Sequence, residues 1–199
     1  MASTERARTR GRPQTGSDDQ RERIIDAARD LFASGGFAAT TLRQVSLLAG
    51  VTPALAHYYF KDKSGLFDAV ARERIAPLLA VIEAALEAHG TDAVAALAAF
   101  VQQFTLVASR HPWLPPLLMR DSAMHELSGR LQALVAAGQA SGAIRSDLRA
   151  ASIAVSVLSL CAFPFLLGAA TDASTAPGMT LHHLAVLRDG LKPRARAAN

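Results

Sequence analysis

Between about residue 18 and residue 36 the apolar positions recur at helical spacing: Ile24, Ile25, Ala28, Leu31 and Phe32 share one face among charged neighbours. Ser17 to Gln20 has the form of a capping box, Asp18 and Asp19 suit the positive end of a helix, and Gly35-Gly36 stops it. A second helix is expected after Thr41, with Gln44 three residues on to complete another capping box. Leu42, Val45 and Leu48 supply its buried stripe, and Gly50 suits the left-handed residue that ends it. Thr52 caps a third helix, which has Pro53 at its first position and runs to about Tyr59. With Phe37, Leu55 and Phe60, these segments make a small three-helix core. The second and third helices read as a helix-turn-helix, whose second member would enter a DNA major groove.

The pattern stays helical downstream. Asp62 caps a fourth helix from about Lys63 toward His89, with Leu66, Val70, Leu78, Ile82 and Leu86 inward and Pro77 expected to kink or break it. Gly90-Thr91-Asp92 opens a long Ala-rich helix to about Arg110, and HPWLPPLLMRD reads as a turn and one short helix. A further helix covers about Ser122 to Gln139 and stops at Gly142. Ser146-Asp147 caps an apolar helix from Ala150, Asp172 to Gly178 forms a loop, and Thr180 caps a last helix carrying Leu181, Leu184 and Leu187. No strand pattern is convincing, so the fold class is all-α, with about nine helices.

Composition adds little to this picture. Half of the residues are apolar, enough for a sizeable core, and the net charge of +4 suits a polyanionic partner without identifying one. Cys161 is the only cysteine, which excludes an intramolecular disulfide and fits a reducing, cytoplasmic setting. The first residues, MASTERARTRGRPQTG, lack the apolar stretch of a secretory signal. Residues 1–17 read as a disordered basic arm. In it Arg6, Arg8, Arg10 and Arg12 alternate with other residues, either as a solvated tail or as an arm that reaches phosphates or a minor groove. The uncharged run from Ala150 to Thr171 is long enough to span a bilayer. Its Ser152, Ser156 and Ser159 stripe and Pro164 fit a closely packed helix better, so no membrane partner is expected.

The residues GVTPALAHYYFKDKSGLF, with RERIIDAARDLFASGGFAATTLRQVSLLAG ahead of them, resemble the signature of the TetR family of bacterial transcriptional regulators. The resemblance runs from about Gln20 to Val70. It implies a DNA-binding domain over 18–64, a ligand-binding and dimerisation domain over 65–199, and a homodimer on double-stranded operator DNA. It further implies a repressor released from a palindrome by a small-molecule effector. A regulator whose second domain only dimerises, or meets a protein partner, is the alternative. Arg43 occupies a position where relatives contact a base or phosphate, and a guanidinium can fork onto guanine. His57 and Tyr58 sit where relatives touch bases or phosphates, while Pro53 and Ala54 would make apolar contacts. Thr41, Thr52, Tyr59 and Lys63 look like phosphate clamps. The departure from the family pattern is His57, which takes the place of the usual first tyrosine.

In the second domain Phe100, Gln103, Phe104, Trp113, Leu117, Arg120, Met124 and His125 could line an apolar ligand pocket. Ser152, Ser156, Ser159, Leu181, Leu184 and Leu187 could form the dimer interface. Enzymatic readings are weak. His182 and His183 are adjacent and diverge by about 100° on a helix, and there is no phosphate-binding glycine loop and no nucleophile elbow. No cofactor and no metal is expected.

Overall fold

In a computed structural model that describes residues 15–119, 122–168 and 176–193, the chain is helical with no strand among the described residues. The arginine arm, Arg120 and the start of the predicted 172–178 loop lie outside them.

Helix α1 (Thr15–Gly35) begins ahead of the predicted cap, placing Ser17 inside its first turn. Local capping chemistry then sets α2 (Leu42–Ala49) and α3 (Pro53–Phe60). Thr41 Oγ1 accepts the Gln44 N–H at 3.2 Å while Gln44 Oε1 accepts the Thr41 N–H at 2.8 Å. Gly50 takes the left-handed conformation, φ 66°, and Thr52 Oγ1 accepts the Leu55 N–H at 3.3 Å. The predicted stripe of α2 is partly wrong: Leu48 is 57% exposed. The inner edge follows the i, i+4 pairs Leu42/Ser46 and Val45/Ala49, whose small members let α1 pack close. Leu55 is half-buried at the rim of the three-helix core.

Three rings close that core. Phe32, Phe37 and Phe67 stand with centroids 5.4–5.6 Å apart, tying α1, the α1–α2 loop and the next helix together. That helix, α4 (Lys63–Val70), is capped by Asp62, whose carboxylate accepts the Gly65 N–H at 2.8 Å. The turn into it is tight. Lys61 has φ 59° and ψ −55°, and the Asp62 N–H donates to the Phe60 carbonyl at 2.6 Å, which makes a γ-turn of the strained hand. A Cβ on Gly65 would stand 2.6 Å from that same carbonyl oxygen, and a backbone atom cannot swing away. Gly65→Ala is therefore expected to destabilise the protein by about 1–3 kcal/mol. Thermal melting checks this, and a variant as stable as the wild type would show that the turn relaxes freely.

Pro77 does not break the rod, one of the two outcomes expected of it. Residues Ala71–Ile75 form a π-helical turn, in which the Ala76 N–H reaches back five residues to the Ala71 carbonyl, and α5 (Ala76–Glu87) continues the same helix. The wider turn lies just ahead of the proline, whose ring would collide with a carbonyl in a regular helix. The extra residue appears in the burial pattern: Leu66 and Val70 are followed by Ile75, Leu79, Ile82 and Leu86, with a five-residue step at the turn. Leu78, predicted inward, is only partly buried, and Leu79 takes its place.

The rest of the fold packs around α6 (Ala93–Arg110), whose Asp92 cap accepts the Ala95 N–H. It comprises α7 (Leu114–Leu118), α8 (Ser122–Ala140), α9 (Ala150–Leu166) and α10 (Ala176–Leu191). α5 lies on α6, α8 on α9, and α10 on α6, while α7 bridges α1 and the α8–α9 pair. Two more predicted caps fail, as Ser17 does in α1. Asp147 is held by Arg145 instead, leaving Arg149 at the start of α9, and α10 begins at Ala176, so Thr180 is internal to it. Cys161 is buried in α9, and desolvation pushes its thiol up to about 12, consistent with inert packing. Of the described helices, α6 alone is long and apolar enough to cross a membrane, and half of it is buried in this fold.

Candidate DNA interface and ligand groove

The cap-and-proline start of α3 fixes which side chains leave the core. Ala56 and Phe60 point inward, Leu55 and Tyr59 are half-buried, and Thr52, Pro53, Ala54, His57 and Tyr58 form one exposed face. Tyr58 is 79% exposed, its ring 5.4 Å from that of Tyr59, which packs against the core. The predicted contact face of α3 is thus a real surface, and Thr41 and Arg43 add the exposed start of α2 to it.

His57 has a further tie. Its Nδ1 stands 2.9 Å from the Lys61 carbonyl, and the Lys61 N–H donates to the His57 carbonyl at 2.9 Å. A ring nitrogen facing a carbonyl must carry the proton, so Nε2 remains as the acceptor of the neutral ring. The imidazole contact adds to the backbone bond in bracing the strained Lys61 turn.

Lys63 differs from its reading as a phosphate clamp. Its ammonium donates to the carbonyls of Phe37 at 2.7 Å and Ala38 at 3.2 Å, and lies 4.5 Å from the centre of the Phe37 ring. The side chain spends its charge on the α1–α2 loop and holds that loop against α4. No spacing rule reveals this, because the partners lie 26 and 25 residues away.

Comparison with known proteins agrees with this geometry. Residues 24–70 match the family model described as bacterial regulatory proteins, tetR family. The transcriptional repressor NicS of Pseudomonas putida is 29% identical over 165 residues, 74% of this chain and 76% of its own length. The transcriptional regulator RutR of Escherichia coli K12 is 30% identical over 134 residues, 64% of this chain and 62% of its own length, just under two thirds. The ketosteroid transcriptional regulator KstR2 of Mycobacterium tuberculosis shares the fold, with a TM-score of 0.74 at 15% identity over 88% of this chain and 96% of its own. Residues 24–70 carry a DNA-binding domain of the TetR family, and the whole chain shares the fold of that family's regulators. TetR-family regulators bind operator DNA and function as dimers, and they are not enzymes.

The C-terminal half of the chain rearranges the predicted pocket. Phe100, Phe104 and Leu117 are fully buried and fill the core, with Phe100 and Phe104 in ring contact at 5.8 Å. Gln103 is half-buried on α6, Trp113 lies against α1, and Arg120 is outside the described residues. Of the described members of that set, Met124 and His125 line an open groove of about 460 Å³. Its other walls are Met119, Ser128 and the outer side of α9, including Val155, Leu158, Ser159 and Phe163. Helical spacing puts Ser159 in a dimer stripe and gives no sign of Val155 and Phe163, although both are more than half exposed and apolar.

Ser152, Ser156 and Ser159 do lie on an exposed face of α9, and Leu181 is exposed on α10. Leu184 is half-buried and Leu187 is buried against its own subunit, so Val186 replaces Leu187 as an outward apolar position. Between α9 and α10 a shallow second hollow is lined by Ser156, Ser159 and His183. His183 is 4% exposed, and its Nδ1 has no hydrogen-bond partner among the described residues. Burial chiefly, and the charge of His182 secondarily, hold its pKa below the ordinary value. The unfolded chain therefore takes up this proton first, and stability falls as pH drops below about 6.5. Replacing His183 by Gln should flatten the slope of melting temperature against pH between about 7 and 5. An unchanged slope would assign the acid sensitivity to other groups.

Proposed function

We propose that this regulator is a homodimeric, cytoplasmic repressor, released from a palindromic operator when a small, largely apolar ligand occupies the α8–α9 groove. The observation that carries the ligand response is the groove itself. Its described lining is mainly Met119, Met124, Leu158, Phe163 and other apolar groups, with polar side chains at His125, Ser128 and Ser159. Among the described lining residues none is a carboxylate, lysine or arginine, which favours a neutral ligand over an ion. The relative NicS is a transcriptional repressor, which supports the sign of regulation. The exposed apolar and serine face of α9 and α10 supports pairing of two copies. Paired recognition helices about 34–36 Å apart would read two half-sites one DNA turn apart. Of the predicted contacts, Arg43, Pro53, Ala54, His57 and Tyr58 would face bases, and Thr41 and Thr52 would face phosphates.

The test has two arms. Selection of bound fragments from random DNA should recover one palindrome, and the neutral dye N-phenyl-1-naphthylamine should brighten on binding and lower affinity for that duplex. Recovery of no motif would defeat the operator reading. Dye binding that leaves operator affinity unchanged would defeat the effector reading while sparing the first.

A further inference from the structure

A set of side-chain contacts runs from the recognition helix along α1 and the π-helical turn to Trp113, and the short helix after Trp113 ends at the ligand groove. At one end the Arg21 guanidinium lies 5.5 Å from the centre of the Phe60 ring, at the end of α3. The same guanidinium grips Glu73 with two bonds of 2.7 and 2.6 Å. That pairing lowers the Glu73 pKa, the hydrogen bond from Arg21 being the largest cause. Glu73 and Arg74 both belong to the π-helical turn, where the extra residue presents them to α1. Arg74 binds Glu22 and donates to Asp26 at 2.9 Å. Asp26 accepts a second bond, at 3.0 Å, from Arg29, which also holds Asp30.

Arg29 then leaves the DNA-binding domain. Its guanidinium carbon stands 5.2 Å from the centre of the Trp113 ring, close enough for a cation–π contact. Trp113 precedes the first residue of α7, and Met119, which follows its last, lines the groove. α7 is five residues long, so a shift at one end is carried to the other with little slack. Most of these charged groups are shielded: the Arg21, Arg29, Glu73 and Arg74 side chains are 20–30% exposed.

We propose that Arg29 and Trp113 are positioning residues that couple the operator face to the groove, with Trp113 as the hinge contact between the two domains. This rests on the reading of the groove as the effector site. With coupling along this route, operator engagement and groove occupancy change each other's affinity by the same factor, and the joint at Trp113 responds to both. Contiguity alone does not establish coupling, so the test measures the coupling itself.

Trp113 is the only tryptophan in the chain, so its emission reports on this joint with no background from other indoles. The full-length protein is titrated with the selected duplex and, separately, with an unrelated duplex of equal length. Binding is followed by anisotropy of a labelled DNA. The expected result is a shift in Trp113 emission with the operator and none with the control duplex. In Arg29→Gln the operator should still bind within about threefold, with the emission response reduced by at least half and the melting temperature nearly unchanged. Should that variant fold poorly, Glu73→Gln breaks the same route at its other link and should show the same loss. Tight operator binding with a silent Trp113, or a full response in both variants, would overturn the proposal alone. A wild-type protein that selects no duplex would overturn the regulatory reading and this proposal with it.

Discussion

Replacing Phe32 by Ala is expected to cost about 3–5 kcal/mol, more than the loss of any other single side chain in the three-ring cluster. Phe32 is fully buried, and its ring meets both Phe37 and Phe67. Removing it leaves a cavity bounded by three backbone elements that cannot all close in. The α1 backbone is pinned by its charged face, the loop is pinned by Lys63, and α4 by its Asp62 cap. For a chain of this size each kcal/mol lowers the melting temperature by about 2–4 °C, so a fall of about 6–20 °C should be seen by circular dichroism. Phe32→Leu, which keeps most of the volume, should lose less than half as much. A fall under about 2 °C for the alanine variant would mean that the three rings are not the keystone of the domain. Because the rings set the angle between α1 and α4, operator affinity should fall as well.

The second large effect is on DNA. Arg43 is exposed near the start of α2, and no hydrogen bond or ion pair from its side chain is present among the described residues. A free guanidinium at this place is available to a guanine edge, a contact worth about 1–3 kcal/mol. Arg43→Ala should therefore weaken the selected operator by about 5–150-fold, leave the melting temperature within about 1 °C, and reduce affinity for unrelated duplexes far less. Equal losses on every duplex, with a salt slope smaller by about one, would make Arg43 a phosphate contact instead. No loss on any duplex would remove it from the interface.

Features that depend on neighbours within one turn were legible in the sequence. The Thr41–Gln44 box, the Thr52 and Asp62 caps and Gly50 all form as their spacing requires, because their partners are the backbone groups beside them. The exposed face of α3 followed from those caps. What was not legible depends on elements distant in the chain. Lys63 resembles any surface cation, because the carbonyls that hold it carry no sequence signature. Phe100 and Leu117 could not be told from groove residues, since a core and an apolar pocket use the same side chains. The groove instead took its walls from the outward side of α9, where Val155 and Phe163 break the rule that large apolar groups turn inward. Leu48 failed for a different reason: a short helix beside another can bury small residues in preference to larger ones.

The five-residue step between Val70 and Ile75 makes chain length, rather than side-chain chemistry, the sensitive quantity at the joint. Most proteins tolerate a deletion in a loop and are ruined by one in a helix. Here the π-helical turn makes one helical position an exception. Taking out one residue among 71–75 would let the rod become a regular helix while Leu66 and Val70 on one side, and Leu79, Ile82 and Leu86 on the other, all kept their places in the core. The cost would fall on Pro77, whose ring would then meet the carbonyl four residues back, and on the grip of Glu73 and Arg74 on α1. A change of one codon in length could thus leave two well-packed domains that no longer inform each other, an outcome that point substitution reaches only by several steps.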